Sequence, residues 1–219
     1  MKAVHGRVWL LLAAVMFFAA WALMPGVGIT DANRIFDLVG SQRGAVLLSS
    51  VLQLASAACY APAMGALLTS PAGRRGGAGL HLGAILLLVG ATGSSADAIF
   101  HLFAYEMTAP DAARDAMLPV MARMQGPGLV WILPLILCFF VGTALLAHAA
   151  RRAGPAPAAR GVWIGFGALL LVLAALAATG AIVPGRAVGL GVIGLVSAGQ
   201  VRVTVSPLYA DRDMVNAIH

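Results

Sequence analysis

Residues 79–105 read GLHLGAILLLVGATGSSADAIFHLFAY. The stretch holds one carboxylate and no lysine or arginine, and its apolar residues run on instead of alternating. About 20 such residues in a helix cross the hydrocarbon core of a bilayer. A strand of a membrane barrel would alternate apolar and polar side chains, and this stretch does not. It reads as a transmembrane helix with a polar stripe near one end.

Five further runs have the same character, at about 7–25, 45–69, 128–149, 161–184 and 187–206. The expectation is an all-α polytopic membrane protein, a single domain over 1–219 with six transmembrane helices. Composition agrees. The chain is 61% apolar and 10% charged, against about 45–50% and about 25% for a soluble domain. Mean hydropathy is +0.93. A soluble enzyme, a disordered chain and a disulfide scaffold are excluded on these values. Cys59 and Cys138 both lie in apolar runs with no CxxC pattern, and read as two buried thiols.

The first run resembles a signal peptide in part. Lys2 and Arg7 precede it, and Ala20-Trp21-Ala22 has small-x-small spacing. The apolar stretch from Val8 to Met24 is long for a signal, so it reads as a retained first helix.

Charge sets the orientation. The formal net charge is +6, and thirteen of the fourteen basic residues are Arg. Lys2 and Arg7, Arg74 and Arg75, Arg151, Arg152 and Arg160, and Arg202 and Arg212 all fall on one side of six spans. The other side carries Arg34, Arg43, Arg114 and Arg123, offset by Asp31, Asp37, Glu106, Asp111 and Asp115. The positive-inside rule then puts both termini in the cytoplasm. The same distribution accounts for the pI near 10.4 through loops and lipid headgroups, without a nucleic-acid partner. Trp9, Trp21, Trp131 and Trp163 lie near run ends and read as interfacial belt residues.

The outer loops carry patterns of their own. In Thr30–Gln42, Ile35, Leu38 and Val39 share a helical face; in Asp111–Met124, Met117, Met121 and Met124 do. Both predict short amphipathic helices on the outer surface or capping the bundle. The inner loops, Ser70–Gly79 and Arg151–Arg160, read as plain turns.

The polar stripe is the candidate site. Asp97, His101 and Tyr105 are spaced i, i+4, i+8, and Ser94 lies one turn below. A carboxylate at hydrocarbon depth costs several kcal/mol unless paired, neutralised or wetted, and an adjacent histidine can share its proton. Gly90 and Gly93 permit close approach by a neighbouring helix. From the second run, Ser49, Ser50 and Gln53 lie at the depth of Asp97, with Ser56 and Tyr60 deeper, and the sixth run offers Ser197 and Gln200. Gln53 is the expected partner. Asp97, His101, Tyr105, Ser94 and Gln53 thus form a candidate ligand or proton site opening outward; the alternative is an acid–imidazole pair that only holds the bundle together.

Other chemistries find less support. His81 with His148, or His101 alone, are the available haem or metal ligands. A zinc hydrolase would need further histidines in the outer half beyond Ser94, Ser95, Asp97 and His101. Met107, Met117, Met121 and Met124 with His101 could attract Cu(I), although a methionine stripe ordinarily packs against a bundle or lipid. A covalent retinal is excluded, since the sole lysine is Lys2.

The amphipathic segment 30–43, the turn APAMGALLTSPAGRRGG at 61–77 and the stretch RRAGPAPAARGVWIGFG at 151–167 give a layout that resembles a family of small bacterial six-helix membrane proteins known as a domain of unknown function. That resemblance implies the fold and a bacterial inner-membrane location. It carries no catalytic residues. Three functional readings follow: a small-molecule or proton-linked membrane protein, an accessory subunit of a larger membrane complex, and a haem- or metal-bearing redox protein. Enzymatic activity is not expected, and no cofactor is named by the sequence.

Overall fold

The computed structural model describes residues 2–29, 31–154 and 156–209. Arg212, used above for orientation, lies outside the described residues. Six helices are long and apolar enough to cross a membrane: α1 (Lys2–Leu23), α3 (Arg43–Thr69), α5 (Gly77–Met107), α7 (Leu129–Arg152), α8 (Ala158–Ala178) and α9 (Pro184–Thr204). Three shorter ones, α2 (Ala32–Ser41), α4 (Pro71–Arg75) and α6 (Arg114–Gln125), and a 3-10 turn at Pro207–Tyr209 complete the described structure. The fold is that of a multi-pass, all-helical membrane protein.

Five of the long helices close a ring in the order α1, α3, α5, α7, α9 and back to α1. The eighth helix stays outside and leans on α9. Glycines set the tightest seam, between α5 and α7. A methyl added at Gly90 would stand 2.3 Å from Phe139 Cα, and one at Gly142 2.5 Å from the Leu87 backbone nitrogen. Only residues without a Cβ let the two backbones approach this closely. On α8 the opposite holds, since a methyl at Gly161 or Gly165 would meet nothing within 4 Å. Large apolar side chains cover the outside of the bundle, with Trp131 of α7 and Ile164 and Leu171 of α8 all more than 70% exposed. Such a surface suits lipid, which is as apolar as the side chains themselves.

The bundle has two dissimilar ends. At the terminal end the short loops are tied down. Ser70 Oγ accepts from Gly73 N at 2.8 Å and caps α4. The plain turn expected at Ser70–Gly79 is therefore partly helical, because Ser at the cap and Pro in the first turn start a helix. Tyr209 packs beside Gly6 and donates to the Ala63 carbonyl at 3.2 Å; burial pushes its phenol above the usual range.

At the distal end α2 and α6 pack on each other and cap the ring. Asp31 caps α2, accepting from Arg34 N at 2.7 Å. The buried face of α2 is Ile35, Phe36 and Val39, with Leu38 half-buried. Phe36 therefore takes the inward position that the spacing had suggested for Leu38. Arg114 on α6 pairs with Asp37 and lies over the Phe36 ring at 4.9 Å. The neighbouring carboxylate pushes the Arg114 guanidinium still further above its usual range. Arg186, absent from the loop tally above, opens α9 at this end and donates to the Ala22 carbonyl at 3.0 Å.

Candidate functional site

Asp97 lies ten residues before the end of α5, about 15 Å below it at 1.5 Å per residue. It is 7% exposed. Its partner comes from α3, where Gln53 Nε2 donates to Asp97 Oδ2 at 2.9 Å. The amide oxygen of Gln53 then faces His101, whose Nδ1 stands 3.3 Å from it. The same Nδ1 is 3.8 Å from Asp97 Oδ2, a charge-pair distance but not a hydrogen bond. One glutamine thus bridges the acid and the imidazole. With its N–H₂ turned to a carboxylate, its carbonyl requires a donor, so Nδ1 carries the proton. The other ring nitrogen, Nε2, takes no part in this bridge.

The spacing of the stripe holds only in part. Asp97 and His101 share one face and meet Gln53. Tyr105 does not join them: the Arg43 guanidinium lies 3.8 Å above its ring and donates to the Tyr105 carbonyl and to Thr108 Oγ1 at 3.3 Å. This contact fastens the head of α3 to the end of α5. Ser94 Oγ is buried without a hydrogen-bond partner. Ser49 and Ser56 of α3 donate to the Ala20 and Ala13 carbonyls of α1, at 2.7 and 2.8 Å, and so act as contacts between helices.

A cavity of about 320 Å³ opens beside the pair. Asp97, Phe100 and His101 line its base, Trp21 and Met24 its wall, and Val39 of α2 and Met121, Met124 and Gln125 of α6 its roof. Its size falls within the range of about 300–1,000 Å³ found for small-molecule pockets. Trp21 is not a belt residue as expected. It is half-buried, and its ring meets His101 edge-on at 5.8 Å. Trp21 Nε1 and Gln125 Oε1 are both buried without a hydrogen-bond partner.

On its other side Asp97 borders a smaller chamber of about 40 Å³, which Ser94, Gly90, Phe17 and Phe139 also line. The Phe17 and Phe139 rings lie 4.8 Å apart, tilted by 37°, and Tyr60 meets Phe139 edge-on at 5.4 Å. Beyond them lies a second polar cluster. Tyr60 donates from its hydroxyl to Gln200 Oε1 at 2.9 Å, and Gln200 Nε2 donates to Thr143 Oγ1 at 3.3 Å.

The other candidate ligands are dispersed. His81 and His148 are exposed, and His81 Nδ1 is satisfied by the Gly77 carbonyl at 2.9 Å. Among the described residues no group of three His, Cys, Asp or Glu could hold a metal ion. Of the outer methionines, Met107, Met121 and Met124 reach the cavity together with Met24. Met117 packs half-buried against the same cluster.

Several lining residues escaped the sequence reading. Trp21, Met24 and Gln125 come from segments where nothing local signals a site, and Phe100 is one more apolar residue in an apolar helix. Thr143 could have been suspected as the lone hydroxyl in its run. No protein-family model, curated protein or solved structure matches the chain.

Proposed function

We propose that this protein is a bacterial inner-membrane protein that binds a small molecule in the distal cavity, with binding or transport linked to protonation at the Asp97–His101 pair. The observation that carries the reading is a buried carboxylate, bridged to an imidazole, at the base of a largely apolar cavity. Ionisable groups at membrane depth are costly and are kept mainly where they act. The charge distribution supports an outward-facing cavity. The distal end carries Arg34, Arg43, Arg114, Arg123 and Arg186 against five acids, whereas the described terminal end carries eight basic residues and none.

The test uses the full chain in lipid nanodiscs. Ligands co-purifying from its own membrane are identified by native mass spectrometry, and their binding is compared in Asp97→Asn and His101→Ala. Loss of binding in Asp97→Asn, and loss of its pH response in both variants, is the expected result. Unchanged binding in both would end this reading.

A second reading, a subunit of a larger membrane complex, rests on α8. Only about 6% of its apolar window is buried within the chain, and Gly161 and Gly165 present an open, small-residue face. Ser197 Oγ is buried without a hydrogen-bond partner beside the groove that α8 forms with α1 and α9. These features fit a helix from another membrane subunit. Photo-crosslinking from position 165 in native membranes should then trap one partner in stoichiometric yield; lipid adducts alone would refute it.

A further inference from the structure

We propose that the ligand of the distal cavity is an organic monocation with an apolar body, a protonated amine carrying a ring or short alkyl chain, and that it exchanges with a proton on His101. This rests on the cavity being the ligand site, and adds its chemistry.

Charge balance is the first argument. An ionised aspartate at this depth is stabilised by a counter-charge, and Gln53, its hydrogen-bond donor, is neutral. When His101 carries two protons it supplies that charge from 3.8 Å. An ammonium group in the cavity would supply the same charge, and two cations beside one carboxylate would repel each other. Binding therefore expels one proton from the His101 imidazolium to the solvent at the distal mouth. One positive charge enters the site and one leaves.

The second argument is the lining. Asp97 and Gln125 Oε1 are both acceptors, and the latter is buried without a hydrogen-bond partner. An ammonium brings only donors and would meet these two acceptors; Trp21 Nε1, itself a donor, takes no part in that pairing. Trp21 and Phe100 add aromatic rings to the lining, and such rings attract a cation with little water around it. Met24, Met107, Met121 and Met124 supply a flexible apolar wall that can mould to different bodies. An anionic ligand would face Asp97 unaided, because no arginine is among the residues that line the cavity.

Other titrating groups on the packed elements do not take the place of His101. Beyond Arg43, α3 brings Cys59 and Tyr60, which lie on the terminal side of Gln53. On α7 the groups are Cys138 and, at its terminal end, His148, Arg151 and Arg152, while α4 has Arg74 and Arg75. On α1, Lys2, His5 and Arg7 are at the terminal end. Besides Tyr105, α5 carries His81 at that same end and Glu106 at the distal surface. Asp37 of α2 and Arg114, Asp115 and Arg123 of α6 are exposed. Arginines stay charged throughout the relevant range.

The test is isothermal calorimetry on the full chain in nanodiscs, with 2-phenylethylamine and its uncharged counterpart 2-phenylethanol, across about pH 5.5–8.5. The amine should bind at least about tenfold more tightly than the alcohol at the upper end, a difference of about 1.4 kcal/mol. Its affinity should fall by up to about tenfold per pH unit at the acid end. Buffers of different ionisation heat should there report about one proton released per amine. Asp97→Asn should bring the amine down to the alcohol. His101→Gln should keep the preference for amine and abolish both the pH dependence and the proton release.

The wild-type arms decide the matter even if a variant fails to fold. Equal binding of amine and alcohol, or amine binding without proton release, overturns the inference and leaves the cavity as a neutral-ligand site. If neither compound binds, nor any of a panel of single-ring amines, the cavity reading falls as well. Tight Ag(I) binding in the absence of amine binding would replace the organic cation with a soft metal held by the methionines.

Discussion

Two polar clusters of three residues lie in one bundle, and their surroundings differ. Gln53 of the distal cluster and Tyr60 of the terminal one are seven residues apart on α3, about 10 Å along the axis. In the terminal cluster Tyr60, Gln200 and Thr143 are neutral and hydrogen-bonded in series, and all are buried. In the distal cluster two of three members are ionisable, His101 is only half-buried, and a cavity adjoins. Polarity alone therefore does not mark a site in a membrane bundle. A closed neutral cluster stitches helices together, whereas an acid beside open volume retains an interaction to make with something else. Between them stand the rings of Phe17 and Phe139, 4.8 Å apart.

The most severe way to break this contrast is to move the wall between them. Gly90 lines the small chamber and abuts Phe139. Gly90→Leu should force α5 from α7 and cost about 3 kcal/mol or more, seen as early unfolding in mixed micelles and loss of a monodisperse species. Next comes Gln53→Leu, which strands Asp97 without its donor. A cost of about 1–3 kcal/mol is expected, together with altered amine binding; unchanged stability would mean that Asp97 finds another partner.

A crossed pair sharpens the comparison. Asp97→Asn should weaken amine binding at least about tenfold while shifting the unfolding midpoint little, since a buried charge is removed. Tyr60→Phe should do the reverse, leaving binding intact and costing about 0.6–1.7 kcal/mol. A large stability loss in Asp97→Asn with binding retained would make the distal cluster structural too. The smallest effect is expected on α8: Gly165→Ala meets open space and should change the stability of the isolated chain by less than about 0.5 kcal/mol.

Much of this molecule was legible in the residues themselves. Six runs, short amphipathic segments at one end and arginine-rich turns at the other follow from length, period and charge, which act locally. The i, i+4 spacing put Asp97 and His101 on one face, and matched depth pointed to Gln53. The same spacing also enlisted Tyr105, which the structure turns toward Arg43 instead. It assigned Trp21 to the interface, where it in fact faces His101.

What the sequence by itself determined is which segments cross the membrane, which loops are basic, and that one carboxylate lies at hydrocarbon depth beside a histidine. Only the tertiary structure decided that a glutamine bridges the pair, that α2 and α6 roof a cavity over it, and that α8 stays outside the ring. The reason is physical. In water the buried face of a helix announces itself by being apolar. In lipid both faces are apolar, so hydrophobicity no longer distinguishes inside from outside. Which helix covers which face is then settled by small residues and a few polar contacts, and these act only once the neighbours are in place.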